Sequence, residues 1–171
     1  MRILQNLVGV ATYKPAVYRE ISESADLWKE SVPLVALSAV LSGLADILQH
    51  GFSAQNVVRF IFPLLGWVLF CSMCAFFAKR FYKADIPLIK FLRVYSYTQL
   101  ITSLGLIATT NLATRWLGFI IILLAIPSAV IGIREASQLS TGKATLIFVL
   151  SIVVVDILAL ITVGILSSFL H

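Results

Sequence analysis

The sequence predicts an all-α fold. The expected architecture is a polytopic membrane bundle of five transmembrane helices, with a cytoplasmic N-terminus and the C-terminus outside. Three observations predict it. The 171 residues are 60% hydrophobic and 12% charged, with mean hydropathy +0.99. A soluble domain is roughly half apolar and about a quarter charged. Five apolar stretches, about 32–49, 57–78, 87–109, 116–133 and 145–169, each approach the roughly 20 residues a bilayer crossing needs. The basic residues alternate between the gaps, and 11 of the 13 lie at the N-terminus, the second connection or the fourth. Short loops rich in Lys and Arg stay cytoplasmic, so one pattern sets both span count and orientation.

Residues 1–30 form a cytoplasmic or interfacial segment, and 31–171 the transmembrane domain. Ile3, Leu4, Leu7 and Val8 share one helical face, as expected of a short helix lying on the membrane surface. Pro15 suits the first turn of a second short helix, with Val17, Ile21 and Trp28 as its apolar contacts. Residues 1–12 do not read as a signal peptide, because Gln5 and Asn6 interrupt the apolar run. Pro33 and Pro87 open spans. Pro63 and Pro127 lie inside spans, where each leaves the carbonyl four residues earlier without its helical donor. The loops are too short for a soluble domain, which makes consecutive spans antiparallel neighbours.

The residues with chemical potential are few. Asp156 falls near the middle of the fifth span, where an ionised side chain costs about 2.5–3.5 kcal/mol or more. It is expected to face the bundle interior and to meet the third span, where Ser96, Gln99 and Ser103 recur at helical spacing. Val94, Ile101, Leu104 and Ala108 would then face lipid, and Arg93 would snorkel to the cytoplasmic surface. Asp46 and Arg59 come to similar depth across the first hairpin and are expected to pair. Lys79, Arg80, Lys83 and Lys90 form a basic cytoplasmic face that fits anionic lipid headgroups, each worth about 1 kcal/mol. These charges border spans rather than forming a nucleic-acid surface. Ala39/Gly43, Ala125/Ala129 and Ser128/Gly132 are small pairs at four-residue spacing, which permit close helix approach and leave oligomerisation, with itself or another chain, open.

Other spellings do not carry chemistry. Cys71 and Cys74 match a C-x-x-C spacing without further ligands for zinc, and no disulfide framework follows from two cysteines. Ser140-Thr141-Gly142-Lys143 lacks the first glycine and the terminal hydroxyl of a phosphate loop. No catalytic set, metal site or cofactor motif is expected, and the chain reads as a non-enzyme.

A resemblance then emerges. Pro15, Tyr18 and Ile21 precede the first span, and Ala78-Lys79-Arg80-Phe81-Tyr82 follows the second. Phe91 to Tyr97 opens the third, and Arg134-Glu135-Ala136 leads to Thr141-Gly142-Lys143-Ala144 before the fifth. With the five-span layout, these residues resemble the Yip family of Rab/Ypt-interacting membrane proteins, in particular its short prokaryotic branch. The resemblance implies a scaffold or membrane-organising partner, in the inner membrane of a prokaryote or the ER and Golgi of a eukaryote. Family members carry an Asp-Leu-Tyr-Gly-Pro-like motif. Here Asp26-Leu27-Trp28 is followed by Lys29-Glu30, which weighs against small-GTPase binding. The alternative is a small transporter or channel subunit using Asp156 and the polar residues of the third span.

Overall fold

The computed structural model describes the backbone of residues 2–52 and 55–169; the side chains of Leu27, Trp28, residues 55–59, Phe62 and residues 163–169 lie outside the described set. The described chain is all-α. Two short helices, α1 (Arg2–Ala11) and α2 (Pro15–Glu23), lead through a 3-10 turn at Ala25–Leu27 into five long ones. These are α3 (Trp28–His50), α4 (Gln55–Tyr82), α5 (Leu88–Ala108), α6 (Arg115–Ser137) and α7 (Thr141–Phe169). Each expected span lies within or close to one of them. Pro33, Pro63 and Pro127 sit inside α3, α4 and α6, and Pro87 is the N-cap of α5.

Four helices, α3, α4, α6 and α7, are long and apolar enough to cross a membrane. The sequence predicts five, and α5 is the exception. It has 21 residues, but Arg93, Ser96, Tyr97, Thr98, Gln99, Thr102 and Ser103 make it more polar than its neighbours. Those groups are tolerated because α5 is central: α1, α2, α3, α4 and α6 all pack against it. The expected lipid-facing stripe is corrected accordingly. Val94 is buried, while Leu104 is exposed. In the outer-facing helices the apolar side chains point away from the bundle instead, as with Leu123 on α6 and Leu160 on α7.

Consecutive long helices pack against each other, α3 on α4, α4 on α5, α5 on α6 and α6 on α7. Small residues set the closest approach. A Cβ on Gly118 of α6 would lie 2.6 Å from the Gly105 carbonyl oxygen of α5, and one on Gly43 would run into the Phe60 ring. Ala39, Ala125, Ala129 and Ser128 are buried at such contacts. The core between α4, α5 and α7 is aromatic: Phe70 stacks on Tyr95 at 4.3 Å and meets Phe148 edge-on at 5.9 Å. Trp67 Nε1 donates to the Leu92 carbonyl at 3.0 Å. Cys71 and Cys74 are free and buried there, beside a void of about 10 Å³.

The two N-terminal helices form a hairpin laid along α5 and α6, a contact the sequence did not predict. Asn6, Gly9 and Val10 of α1 face inward, whereas Ile3, Leu4 and Val8 are exposed. Gly9 allows the two helices to touch, since a Cβ there would lie 2.7 Å from the Val17 side chain. Tyr13 takes φ 57°, a left-handed value, as Lys14 N donates to the Gly9 carbonyl at 3.0 Å and closes α1. On α2 Ile21 is buried and Val17 packs against the core, as expected; Trp28 is outside the described side chains.

Candidate functional site

The hairpin is joined to the bundle by hydroxyl groups whose proton directions follow from the partners. Tyr18 Oη lies 2.8 Å from the Val10 carbonyl oxygen, which only accepts, so Tyr18 donates there. Its contact with Ser128 Oγ at 2.9 Å must then be accepted from Ser128. Ser128 has spent its proton, so it accepts from Thr98 Oγ1 at 3.1 Å. The chain Thr98 to Ser128 to Tyr18 to Val10 links α5, α6, α2 and α1, and Tyr18, Thr98 and Ser128 are all buried. Burial pushes the Tyr18 phenol up to about 12, against the opposing effect of the Ser128 hydrogen bond, with Tyr13 adding to the rise. The phenol therefore keeps the proton that the relay requires. At the hairpin turn Tyr13 Oη donates to the Leu124 carbonyl at 2.7 Å.

A second set of contacts lies toward the end of the bundle where α4 stops and α5 begins. Asn6 Nδ2 donates to Tyr97 Oη at 3.2 Å, and Tyr97 donates to Glu30 Oε2 at 2.9 Å. Arg93 Nη1 donates to the Ser22 carbonyl at 3.2 Å. That carbonyl is in the last turn of α2, where a cation complements the helix dipole. Glu135 is buried and held from both sides. Arg19 Nη2 meets Oε2 at 2.9 Å, while Arg134 grips Oε1 through Nη2 at 2.7 Å and Nε at 2.9 Å. Arg19, Glu23, Arg134, Glu135, Gln138 and Leu139 line an open polar cleft of about 440 Å³.

The sequence candidates are not gathered into one site. Asp156 is exposed on α7, which corrects its expected position in the interior. The reason is register: α7 buries Ala144, Ile147, Phe148 and Ser151, and Asp156 falls five residues beyond Ser151, about 140° around the helix. Ser96, Gln99 and Ser103 do make polar contacts, but not with Asp156. Ser96 Oγ bonds to the Arg93 carbonyl of its own helix at 2.7 Å. Gln99 Nε2 donates to the Pro63 carbonyl of α4 at 2.9 Å, beside the proline's break in helical bonding. Ser103 Oγ pairs with Ser42 Oγ of α3 at 3.1 Å. Arg93 is buried rather than snorkelling, because α2 covers it.

Asp46 is buried, with His50 Nδ1 at 2.9 Å. The Arg59 side chain lies outside the described residues, and so does its expected pairing. Lys79, Arg80 and Lys83 are exposed around the α4–α5 connection and Lys90 is half-buried; Lys79 Nζ meets Asp85 at 2.9 Å. Lys143 lies over the Tyr82 ring at 5.2 Å. Sequence reasoning missed Tyr18, Ser128, Thr98, Arg19 and Glu135 as a set. The nearest signal was the Arg-Glu pair at 134–135, which entered only as part of a family resemblance. Among the described residues no three His, Cys, Asp or Glu side chains gather where a metal ion would sit. The arrangement can dock a hairpin and present guanidinium and carboxylate groups in a cleft.

No curated protein and no solved structure matches the chain. A family profile, the Yip1 domain, matches residues 8–164, from the end of α1 to near the end of α7. That span contains α2 to α6 whole, the last turn of α1 and most of α7, and the chain belongs to the Yip1-domain family.

Proposed function

We propose that this Yip1-domain protein organises membranes by embedding its N-terminal hairpin in the cytoplasmic leaflet, as a non-catalytic scaffold. The Yip1 family is generally non-enzymatic, and the chain is an integral membrane protein. In this reading α3 to α7 cross the bilayer, with Lys79, Arg80, Lys83, Lys90, Arg134 and Lys143 against anionic headgroups on the cytoplasmic side. One observation carries the functional step: the hairpin lies alongside the bundle rather than beyond its end. Ser128, its partner, is six residues from Arg134, about 9 Å along α6. Leu124, bonded by Tyr13, is ten residues away, about 15 Å.

In this reading seven helices would occupy the cytoplasmic half and five the other half. Each helix is about 10 Å across with its side chains, so the protein is wider on one side. The exposed Ile3, Leu4 and Val8 give α1 an apolar outer face suited to acyl chains, while Arg2, Arg19, Glu20 and Glu23 reach back toward headgroups. Arg2 and Glu20 also pair, at 3.5 Å. A transport role would call for Asp156 and the polar groups of α5 to share one path, whereas Ser96, Gln99 and Ser103 hydrogen-bond to Arg93, Pro63 and Ser42 instead.

The test is reconstitution into anionic liposomes at rising protein-to-lipid ratio, with vesicle diameter read by electron microscopy. The full chain is expected to give smaller or tubulated vesicles, and deletion of residues 2–24 to remove the effect. Equal diameters for both proteins would refute the wedge. Reporter tags at the two chain ends test the five-span topology separately, since both ends in one compartment would overturn it.

A further inference from the structure

The outer surface of α7 carries a regular ridge. Leu146, Val149, Val153, Asp156 and Leu160 follow one another at intervals of three, four, three and four residues. The four apolar members are 47%, 46%, 47% and 73% exposed, and Asp156 is exposed as well. This is the heptad spacing of a two-helix seam, in which a single polar residue fixes register. The opposite face of α7 is the one used inside the protein, through Ala144, Ile147, Phe148 and Ser151. The ridge is therefore unpartnered, and it holds an ionisable group at mid-helix. Such groups in a bilayer almost always turn inward to a partner. Asp156 has no hydrogen-bond partner among the described residues. Its electrostatic interaction is with Tyr95 of α5.

We propose that the ridge is a homodimer seam, in which α7 of two copies packs in parallel and Asp156 meets Asp156 of the second copy. Three features select a second copy of this chain as the occupant. Every copy inserts with the same orientation, so two α7 helices related by a twofold axis along the membrane normal run parallel. That symmetry sets each ridge residue against itself at one depth, which gives Asp156 a partner at its own level. A carboxylic acid both donates and accepts, and an acid with a carboxylate shares one proton, so the residue is complementary to itself. The apolar members then pack as the flanking layers of the seam. The proposal rests on α7 crossing the bilayer and is independent of the leaflet wedge.

The experiment is disulfide cross-linking of the full chain in dilute proteoliposomes, in a Cys71→Ala/Cys74→Ala background. Val149→Cys and Val153→Cys are expected to give a covalent dimer on mild oxidation. Leu158→Cys, off the ridge, and Leu123→Cys, on the outer face of α6, are expected to stay monomeric. Absent cross-links on the ridge, or equal cross-links at all four positions, would overturn the seam. Asp156→Leu is expected to weaken dimerisation measured by energy transfer about 3- to 30-fold, the range of one to two interhelical hydrogen bonds in lipid. Asp156→Asn, which still donates and accepts, is expected to retain most of it. An unchanged dimer in the Leu variant would overturn the role of Asp156. A zero-length cross-link between Asp156 and Lys14 of a second copy would overturn the symmetric arrangement in favour of a head-to-tail one.

Discussion

The hydroxyl relay predicts a specific non-additivity. Tyr18→Phe removes two hydrogen bonds, the one donated to Val10 and the one accepted from Ser128. Ser128→Ala also removes two, the one donated to Tyr18 and the one accepted from Thr98. At about 0.5–1.5 kcal/mol net per bond, each single variant is expected to lose about 1–3 kcal/mol. The double variant removes three distinct bonds rather than four, because the Tyr18–Ser128 bond is common to both. Its loss is therefore smaller than the sum by one bond, about 0.6–1 kcal/mol if lipid-embedded contacts set the scale. Reversible unfolding in mixed detergent micelles at rising dodecyl sulfate gives the four stabilities of the cycle. Hydrogen exchange at the amides of α2 locates the effect, since both changes cut the tie between the hairpin and α6. Losses that add within about 0.3 kcal/mol would show that the two groups act separately and share no bond.

Two further outcomes follow from the packing. Glu135→Ala is expected to destabilise by about 1–3 kcal/mol, and Arg19→Ala by under about 1 kcal/mol, in the same unfolding assay. The carboxylate is 7% exposed and still held by Arg134 when Arg19 is lost, whereas Arg19 is 60% exposed and rehydrates; equal losses would contradict this. Gly118→Ala is expected to cost about 1–3 kcal/mol by parting α5 from α6, because the new Cβ meets backbone atoms, the Gly105 oxygen at 2.6 Å and the Thr109 nitrogen at 2.8 Å. Unchanged stability there would mean the two helices separate freely.

The long helices were legible because lipid imposes a simple rule on composition and length, and the loops bounded them well; of the prolines only Pro87 marks the start of a long helix, Pro33 lying inside α3. The number of spans was less clear, because α5 hides its polar groups among its neighbours, while in the sequence the first span, with Ser38, Ser42 and Asp46, reads as the least apolar. The hairpin was legible as two short helices, with Pro15 correctly starting the second. Its position was not. Ile3, Leu4, Leu7 and Val8 form the more apolar face of α1, read from the sequence as the face toward the membrane, and Ile3, Leu4 and Val8 are indeed exposed; the face that docks on the bundle could not be read from apolarity. When the surroundings are also apolar, apolarity loses its sign, and Asn6, Gly9 and Val10 turn inward through shape and hydrogen bonding instead. The same loss of sign explains Asp156. Depth along α7 could be counted from the sequence, but its azimuth depended on Ala144, Ile147, Phe148 and Ser151 being the contact face. In a helix that is apolar all round, that is a matter of packing rather than periodicity.

The position of α5 connects these points. Burying apolar surface cannot drive helix association inside lipid, because acyl chains solvate Leu and Ile as well as a neighbouring helix does. Association must come from close packing and polar contacts, and α5 concentrates both. It gives Gln99 to α4, Ser103 to α3, Thr98 to α6 and Tyr97 to Glu30 of α3, and it packs a glycine against α6. On its own in lipid each of these groups would be left without its interhelical partner, so α5 is disfavoured as an isolated span and stabilised as a centre. The hairpin belongs to the same logic. It covers Arg93, takes a hydrogen bond from it at the last turn of α2, and supplies Asn6 to Tyr97, so α1 and α2 complete a polar core that five long helices leave open on one side. The hairpin on which the proposed wedge rests is thus also part of what holds the central helix in place, and the proposed membrane shaping depends on the contacts that stabilise the fold.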